Sequence, residues 1–398
     1  MEEQYGSGAY GLRGITLTHG EGARIFDDEG NSYVDCVAGH GAAILGHAHP
    51  VIVDAMHEQS QRLMACSNSF SNDQRARLLE RLIHNCNHLD DANFSRAFLT
   101  NSGTEAVEAA LKLARHATGR SEIIATMRCF HGRTFGSLSL TWRKKYRKPF
   151  EPLVPDVNHI PLNNIEAAQE AITEETAAVV VEPVQGEGGV IPADSAYLEA
   201  LREQCDETGT LLIFDEIQTG FGRTGEWFAF QHHNVVPDVL TLAKGIAGGF
   251  PMGAMVFRES VEPFSNGIHG STFGGNPLAS AVSLATMGIL EEQNLPARSK
   301  ELGAKALEYL SEELEDTQII RGIRGFGLMI GIELRRRVTP VLKELMERGI
   351  LALPAGSTIL RFLPPLNIPE EEWEFVLEET VAILQDRTMP TRKASEQG

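Results

Sequence analysis

LLIFDEIQTGFGRTG, residues 211–225, is the stretch of sequence that decides the fold. A short, continuously apolar run ends in an acid, Asp215, and glycine-rich turn residues follow it. Such a run is typical of a strand buried on both faces of a parallel sheet, where ligands bind at the carboxyl ends of the strands. We therefore predict a strand at Leu211–Asp215 with Asp215 at the ligand-binding edge.

Apolar runs of the same kind recur along the middle of the chain. Between them lie helical patterns such as Thr104–Ala117, where apolar residues repeat at three- and four-residue spacing behind a threonine cap. This alternation predicts an α/β fold with a mostly parallel, helix-covered central sheet. The other predicted strands are Ala97–Thr100, Ile123–Thr126, Ala178–Glu182, Val239–Ala243 and Ala254–Phe257.

Length and hydrophobic content allow more than one lobe, because the chain has 398 residues and is 42% hydrophobic. We predict a large domain at 61–275. The two chain ends, 1–60 and 276–388, are expected to meet in a smaller α+β domain. The polar tail 389–398 lacks the apolar residues needed to order itself, and we expect it to be disordered.

Composition argues against several function classes. A formal net charge of -19 disfavours nucleic-acid and membrane-surface binding. The absence of a signal-like segment or a long apolar run predicts a cytoplasmic protein. The histidine pairs His84/His88 and His47/His49 lack a third ligand, so no metal site is expected. No disulfide framework or zinc ribbon is suggested by the scattered cysteines Cys36, Cys66, Cys86, Cys129 and Cys205.

Two further motifs carry chemistry. Lys244 follows a second apolar run in LTLAKGIAGGFPMGA, 240–254, and in LTNSGTEAVEAALKLAR, 99–115, Ser102, Gly103 and Thr104 open a helix whose N-terminal N–H groups favour an anion. A lysine to hold an aldehyde, an acid to keep a pyridine nitrogen protonated and a phosphate cradle are what a pyridoxal-phosphate enzyme requires. Together they predict pyridoxal 5′-phosphate as cofactor and Lys244 and Asp215 as the catalytic pair.

A dinucleotide site is the competing interpretation, because Gly220, Gly222 and Gly225 satisfy GxGxxG after a strand. The following EWFAFQHH does not predict a helix, and no acid lies about 20 residues further on to hold a ribose. We expect turns at these glycines instead.

The chain resembles the class III pyridoxal-phosphate-dependent aminotransferases of fold type I, in the acetylornithine and ornithine aminotransferase branch. The resemblance runs from about Tyr10 to Leu366 and implies a homodimer with shared active sites. The motifs that carry it, in chain order, are NSGTEAVEAALKLAR, FHGRTFGSLSLT, VEPVQGEGGV, FDEIQTGFGRTG, LTLAKGIAGGFPMGA and GSTFGGNPLAS.

This resemblance implies roles for individual residues around the cofactor. Lys244 would bind it covalently and Asp215 would pair with the pyridine nitrogen, while Gln218 would lie near the ring hydroxyl. Further cofactor contacts implied are Gly103 and Thr104 at the phosphate, Phe130 stacked on the ring, and Thr272 reaching the phosphate of the neighbouring subunit.

Substrate recognition is expected to rely on arginines, because a guanidinium fork grips a carboxylate and transamination handles two carboxylates in turn. By the resemblance, Arg361 binds the α-carboxylate of glutamate or 2-oxoglutarate, and Arg133 binds the far carboxylate of an ω-amino substrate. Glu187 would neutralise Arg361 whenever the substrate presents no carboxylate there. Ser271 and Tyr10 are the remaining implied substrate contacts.

Two substrates stay open within this branch: free acetylornithine, and a semialdehyde linked to an acidic (LysW-like) amino-group carrier protein. SLSLTWRKKYRKPFEPLV, 137–154, and CVAGHGAAILGH, 36–47, resemble the carrier-dependent enzymes. Those enzymes act on carrier-bound aminoadipate and glutamate semialdehydes, on routes to lysine and arginine. A cluster that could steer an acidic protein, or simply be a solvated loop, is formed by Arg143, Lys144, Lys145, Arg147 and Lys148.

Other activities on the same fold share part of this chemistry. An aminomutase or a decarboxylase would keep both Lys244 and Asp215, because fold alone does not select the reaction. The QTGFGRTG continuation and Glu187 favour an aminotransferase. A non-enzymatic binding protein would be expected to have lost one of the catalytic pair.

Overall fold

The computed structural model describes residues 1–386, so the predicted tail at 389–398 lies outside the described residues. The N-terminal segment contains α1 (Glu2–Tyr5), β1 (Leu17–Glu21), β2 (Arg24–Asp27), β3 (Ser32–Asp35), the irregular α2 (Ala38–Gly41) and α3 (Pro50–Ser60). The middle contains α4 (Asp73–Cys86), β4 (Phe94–Thr100), α5 (Gly103–Thr118), β5 (Glu122–Thr126), α6 (Phe135–Leu140), α7 (Lys144–Arg147), β6 (Val157–Ile160), α8 (Ile165–Ala171), β7 (Thr176–Val181), β8 (Val184–Gln185), β9 (Ile191–Pro192), α9 (Ser195–Thr208), β10 (Leu211–Asp215), β11 (Val239–Leu242) and β12 (Gly253–Arg258). The C-terminal segment contains α10 (Pro277–Glu292), α11 (Leu295–Glu313), β13 (Ile320–Phe326), β14 (Met329–Leu334), α12 (Thr339–Glu347), β15 (Ile350–Leu351), β16 (Leu353–Ala355), β17 (Ile359–Phe362) and α13 (Glu370–Gln385).

A seven-stranded sheet of order β4-β12-β11-β10-β7-β5-β6 forms the centre of the molecule. Its strands are parallel except β12, which pairs antiparallel with both β11 and β4. β7 and β11 are buried along their whole length, as expected for strands covered by helices on both faces. The prediction of an α/β fold with a mostly parallel sheet is confirmed.

All six strands predicted from apolar runs are present; Leu211–Asp215 has the predicted bounds, and the ends of the other five differ by at most three residues. The largest difference is at β4, which begins at Phe94 rather than at Ala97. The short strand β6 and the hairpin of β8 and β9 were not predicted. Strands of two to four residues leave too few positions for an apolar pattern to be read.

Helix α5 packs on this sheet and begins where its sequence provides a cap. The Ser102 side chain accepts a hydrogen bond from the Glu105 N–H, and Gly119 ends the helix in a left-handed conformation. The buried face includes Val107, Ala110 and Ala114, three of the residues whose spacing predicted the helix. This anchors the first turn of α5 against the sheet edge.

The two chain ends share a smaller sheet of order β1-β2-β3-β15, in which β3 pairs with β15 in parallel. Four antiparallel strands of the C-terminal segment, β13-β14-β17-β16, form another sheet. This arrangement agrees with the expectation that the ends meet. The exact domain boundaries stay a prediction.

Turns surround the three glycines of the GxGxxG sequence. Gly222 and Gly225 have positive φ angles of 86° and 98°, and the next regular element is a short 3-10 helix at Ala229–His232. The helix that a dinucleotide site would need therefore does not follow this strand. Among residues 1–386, no helix is both long enough and apolar enough to cross a membrane.

Gly303 on α11 packs directly against backbone, and this close approach gives a test of the fold. A Cβ at Gly303 would lie 2.1 Å from the carbonyl oxygen of Gly327, which cannot move as a side chain would. We expect Gly303→Ala to destabilise the protein by about 1–3 kcal/mol, measured by denaturant unfolding.

The matched control is Gly288→Ala on α10, where a Cβ would meet nothing within 4 Å. Alanine in an open helical position should be neutral or stabilise the protein by about 0.5–1 kcal/mol. Equal destabilisation by the two substitutions would contradict the packing of α11 on this turn.

Candidate active site

The carboxyl ends of three parallel strands bring ionisable groups together. Glu182 directly follows β7, Asp215 ends β10, and Lys244 lies two residues beyond β11. Asp215 pairs in register with Thr241 of β11, so the acid and the lysine lie at neighbouring strand ends. All three side chains line a cavity of ≈ 410 Å³.

Asp215 is buried, and each of its two carboxylate oxygens has a hydrogen-bond partner. Its Oδ1 accepts from the Ile217 N–H at 3.1 Å, and its Oδ2 lies 2.6 Å from Nδ1 of His131. Burial disfavours the charged imidazole, but Cys129 and Asp215 outweigh it and raise the pKa of His131 well above its ordinary value. A protonated His131 therefore donates to Asp215.

Lys244 lies in a strained backbone position with its amine turned toward the cavity. Its φ of 44° is in the left-handed region, which non-glycine residues adopt rarely and mostly at functional sites. Burial, with a smaller contribution from Arg361, lowers the pKa of Lys244 to about 8, although Glu187, Asp215 and Glu182 act in the opposite direction. The neutral, nucleophilic amine is consequently far more populated near physiological pH than it is in an ordinary lysine.

The N-terminus of α5 forms one wall of the cavity. Ser102, Gly103 and Thr104 line it, and the first N–H groups of a helix are available to an anion. Gly132 faces this turn so closely that a Cβ there would lie 2.4 Å from Oγ1 of Thr104. The backbone that follows Phe130 thus approaches the anion-binding turn only because residue 132 is glycine.

A hydroxyl cluster fixes the segment after Gly132 to α5. Oγ1 of Thr104 lies 2.9 Å from Oγ1 of Thr134 and 2.6 Å from Oγ of Ser137. Oε1 of Glu108 accepts hydrogen bonds from the N–H groups of Gly136 and Ser137 at 2.8 and 3.1 Å. Arg133 is therefore carried by backbone that is tied to the phosphate-binding helix.

Arg361 on β17 is buried and paired with an acid. Its Nη2 donates to Oε1 of Glu187 at 2.6 Å, and its Nη1 donates to Oε1 of Gln218 at 3.1 Å. Arg361 is 0% exposed, whereas the Glu187 side chain keeps 27% of its exposure. The ion pair offsets burial and lowers the pKa of Glu187. A ligand carboxylate can reach Arg361 only after Glu187 moves away.

Arg133 lies at the mouth of the cavity, stacked on a tyrosine. Its guanidinium carbon is 3.5 Å from the centroid of the Tyr146 ring and 5.4 Å from that of Phe130. Both Arg133 and Phe130 line the cavity. Tyr146 belongs to α7, so this helix of basic residues contacts a side chain that lines the cavity.

Most of the residues predicted for the site converge, and four do not line the cavity. Tyr10 is 87% exposed, Thr272 is exposed, and Ser271 lies next to the site through a 3.3 Å hydrogen bond from Asn101, which does line it. Arg361 reaches the cavity only through Glu187 and Gln218. The role implied for Thr272 is in the site of a neighbouring subunit, and it stays a prediction.

Two buried residues of the site were missed from the sequence. His131 supports Asp215, and Glu182 accepts hydrogen bonds from the N–H groups of Phe130 at 3.0 Å and of Gly186 at 3.2 Å. Burial raises the pKa of Glu182 to about 7. A signal for Glu182 existed, because it follows the apolar run Ala178–Val181 as Asp215 follows its own strand.

The donor set of the cavity fits a phosphorylated pyridine aldehyde. Among residues 1–386, none forms a hydrogen bond or an ion pair with the Lys244 amine, which is available for covalent attachment. The carboxylate of Asp215 can hold a proton on a ring nitrogen, and the α5 N-terminus can hold a phosphate. In the same part of the chain, no group of three or more histidine, cysteine or acidic residues is arranged to hold a metal. This combination defines a pyridoxal-phosphate-dependent enzyme.

Comparison with known proteins agrees with that class and narrows it. The family model described as aminotransferase class-III matches residues 7–384, and the chain belongs to this family. Its cofactor is pyridoxal 5′-phosphate and its activity is that of an aminotransferase.

Similar relatives and solved structures carry several substrate names. The chain is 48% identical over 366 residues to a [LysW]-aminoadipate semialdehyde/glutamate semialdehyde transaminase of Sulfolobus acidocaldarius, a match that covers 92% of this chain and 93% of that one. It is 47% identical over 386 residues to an acetylornithine aminotransferase of Methanopyrus kandleri, covering 96% and 97%. The crystal structure of an ornithine aminotransferase from Toxoplasma gondii matches with a TM-score of 0.92 at 34% identity, covering 96% and 93%.

The lowered pKa of Lys244 predicts how cofactor attachment depends on pH. The neutral amine is the nucleophile, so the rate at which pyridoxal phosphate attaches to cofactor-free enzyme should rise with pH and level off above about pH 8. Stopped-flow absorbance measures this rate, and Lys244→Ala, which cannot form the covalent bond, is the control. A rate that still rises steeply near pH 10 would show that Lys244 titrates as an ordinary exposed lysine.

Proposed function

We propose that this aminotransferase moves an amino group between glutamate or 2-oxoglutarate and the semialdehyde end of aminoadipate linked to an acidic carrier protein. Carrier-linked glutamate semialdehyde is the second substrate of the same kind. The observation that carries the proposal is the contact between Arg133, at the cavity mouth, and Tyr146 of the basic helix α7. A substrate tethered to an acidic protein would enter beside a cluster of positive charges.

The charges of this cluster are unevenly exposed. Lys144, Lys145 and Lys148 are exposed, whereas Arg143 and Arg147 are half-buried and make internal hydrogen bonds. In a chain of net charge -19, an exposed lysine cluster beside the cavity would locally reverse the repulsion of an acidic protein. The lysines are therefore the groups available to a docked partner.

The buried pair of Arg361 and Glu187 supports the use of two substrates with different charge. Glutamate presents a carboxylate that can replace Glu187 on Arg361, and a carrier-linked ω-amine presents none there. In the second case Glu187 keeps Arg361 neutralised, which avoids an unpaired buried charge. Arg133, nearer the mouth, is then left to bind the far carboxylate of the carrier-linked substrate.

The remaining side chains have assignable roles in the reaction. Pyridoxal phosphate supplies the aldehyde and the electron-accepting ring. Lys244 Nζ, whose pKa of about 8 gives it an appreciable neutral fraction at physiological pH, would remove the proton from the substrate carbon that bears the amino group and deliver it to the cofactor carbon that receives that group. Asp215, with protonated His131 behind it, holds a proton at the ring nitrogen. Phe130 and Gln218 line the same cavity, where Phe130 would stack on the cofactor ring and Gln218 would lie near its hydroxyl.

Assembly as a homodimer completes the proposed site. Thr272 lies on an exposed segment whose neighbour Phe273 is 62% exposed, and Phe70 is 69% exposed. Asn68 ties the two stretches together through hydrogen bonds to the carbonyls of Ser271 at 3.0 Å and Gly274 at 3.2 Å. Large exposed aromatic side chains are typical of protein interfaces, so a second copy would cover them and receive Thr272 near its phosphate site. The five free thiols agree with a reducing cytoplasm.

Acetylornithine transfer is the alternative, favoured by the 47% identical relative that bears that name. Carrier-dependent relatives from two organisms, at 48% and 46% identity, favour the proposal. These sequence identities are too similar to distinguish the two substrates. The contact of α7 with Arg133 favours the carrier-linked substrate, and a direct comparison of the two substrates tests the choice.

Single-turnover absorbance tests the choice. The purified yellow holoenzyme should lose its cofactor absorbance faster with lysine linked to the acidic carrier protein than with free acetylornithine. Lys144→Ala with Lys145→Ala should slow the carrier reaction by about 10-fold at low salt and leave the acetylornithine reaction unchanged.

Arg335 and Arg337 supply the matched control, because they are also exposed cations and neither lines the cavity. Their replacement by alanine removes the same charge and should leave both reactions unchanged. Equal or better use of acetylornithine by the unaltered enzyme would refute the carrier proposal and favour an arginine-route enzyme.

Glu187→Gln is expected to separate the two half-reactions. Glutamine cannot neutralise Arg361, so amine donors without a carboxylate at that position should lose about 10-fold or more in kcat/KM. Glutamate, whose own carboxylate pairs with Arg361, should keep its kcat/KM or improve on it. The same single-turnover assay measures both, and an equal loss with both donors would contradict the exchange.

A further inference from the structure

Arg143 occupies a junction between the basic helix and the substrate-binding pair. It is the N-cap residue of α7, and its Nη2 donates a 3.0 Å hydrogen bond to the backbone carbonyl of Glu187. The same nitrogen lies against Gly356, where a Cβ would come within 3.2 Å of it. Gly356 is in the turn between β16 and β17, and β17 carries Arg361. One guanidinium therefore bonds the backbone of Glu187 and lies near the turn that leads into the strand of Arg361.

The turn that carries Glu187 is a glycine-rich hairpin, held at its start by the hydrogen bond from the Gly186 N–H to Glu182. Gly186 and Gly188 flank the acid between β8 and β9, so the local backbone has little stiffness of its own. Arg324 fixes the far side of the turn, where its Nε donates to the carbonyls of Gly189 and Val190 at 3.0 Å each. At the carbonyl of Glu187 itself, the donor is Arg143.

The space around Glu187 leaves one way for Arg361 to become available. A Cβ at Gly186 would lie 2.0 Å from Oε1 of Gln218, so the turn cannot shift toward Gln218 without a collision. Arg361 is fully buried beneath Glu187 and Gln218. With the backbone held at both sides, the Glu187 side chain must rotate to release Arg361.

We propose that Arg143 is a positioning residue that holds the Glu187 turn in the closed state and so sets how readily a dicarboxylate gains access to Arg361. This inference rests on the carboxylate exchange within the proposed function, and does not depend on the carrier protein. The α7 cluster thereby acquires a role inside the protein as well as at its surface. A protein docked on Lys144 and Lys145 would lie one residue along the chain from Arg143, the side chain that holds the Glu187 turn closed.

The sign of the effect separates positioning from charge. Without Arg143 the turn is freer and the closed pair is weaker, so an unreactive dicarboxylate should bind more tightly. If the positive charge of Arg143 were the dominant effect, its removal would instead weaken the binding of the dicarboxylate. Arg147→Ala is the matched control, because Arg147 lies on the same helix and contacts His159 instead of the Glu187 turn.

The experiment is calorimetric titration of the holoenzyme with glutarate. We expect Arg143→Ala to bind glutarate about 5-fold more tightly than the unaltered enzyme and Arg147→Ala to bind it equally or more weakly. Arg143→Lys retains a hydrogen-bond donor, so its affinity for glutarate should lie between those of Arg143→Ala and the unaltered enzyme. In single turnover, Arg143→Ala should react with N-acetylornithine about 5-fold more slowly while its rate with glutamate is maintained.

The possible outcomes distinguish the positioning role from the proposed function. Unchanged or weaker glutarate binding by Arg143→Ala, with normal cofactor absorbance, overturns the positioning role. Failure of the unaltered enzyme to bind glutarate overturns the exchange at Arg361 itself, and this inference with it. Preference for acetylornithine over the carrier-linked amine refutes only the carrier proposal, since neither glutarate nor N-acetylornithine involves the carrier.

Discussion

The parallel alignment of β7, β10 and β11 is the constraint on which the site depends. Parallel strands end at one edge of the sheet, and the residues at or just after those ends are Glu182, Asp215 and Lys244. No single strand could bring an acid and a lysine together beside a helix N-terminus. The antiparallel β12 lies between β11 and β4, and the segment 249–252 that leads into it lines the cavity together with the first turn of α5.

Burial turns this meeting point into a reactive site. Removing water lowers the pKa of Lys244 to about 8 and raises that of Glu182 to about 7, so both groups titrate near neutral pH. Arg361 is fully buried and would cost several kcal/mol if left unpaired, which is why Glu187 and Gln218 contact it. The same desolvation that prepares the lysine therefore requires a movable counter-ion for the arginine.

Sequence patterns predicted the parts of the site that follow directly from strands and caps. Asp215, Lys244 and the first turn of α5 sit at positions that periodicity and capping define. Glu182 follows the same rule and could have been found by applying it to every strand. Two contacts could not be predicted in this way: Arg143 with Glu187, and Tyr146 with Arg133. Each joins two segments that are distant in the sequence, and hydrophobic periodicity carries no information on such pairs. Tyr10 and Thr272 are exposed in the single chain, and the roles that the resemblance implied for them stay predictions.

The basic run at 143–148 shows why a charge pattern needs three-dimensional context. Its arginines make hydrogen bonds inside the protein, as planar forks with several donors are suited to do. Its lysines project into solvent, where flexible point charges attract a partner without fixing its geometry. One segment thus divides into a structural half, of which Arg143 bonds the Glu187 turn, and an exposed half formed by the three lysines. Arg143 is the N-cap of α7, and Lys144 and Lys145 follow it directly. The proposed attraction of an acidic partner and the proposed control of Arg361 therefore lie one residue apart. Binding of a partner at the surface can then be coupled to chemistry in the cavity through a single turn of helix.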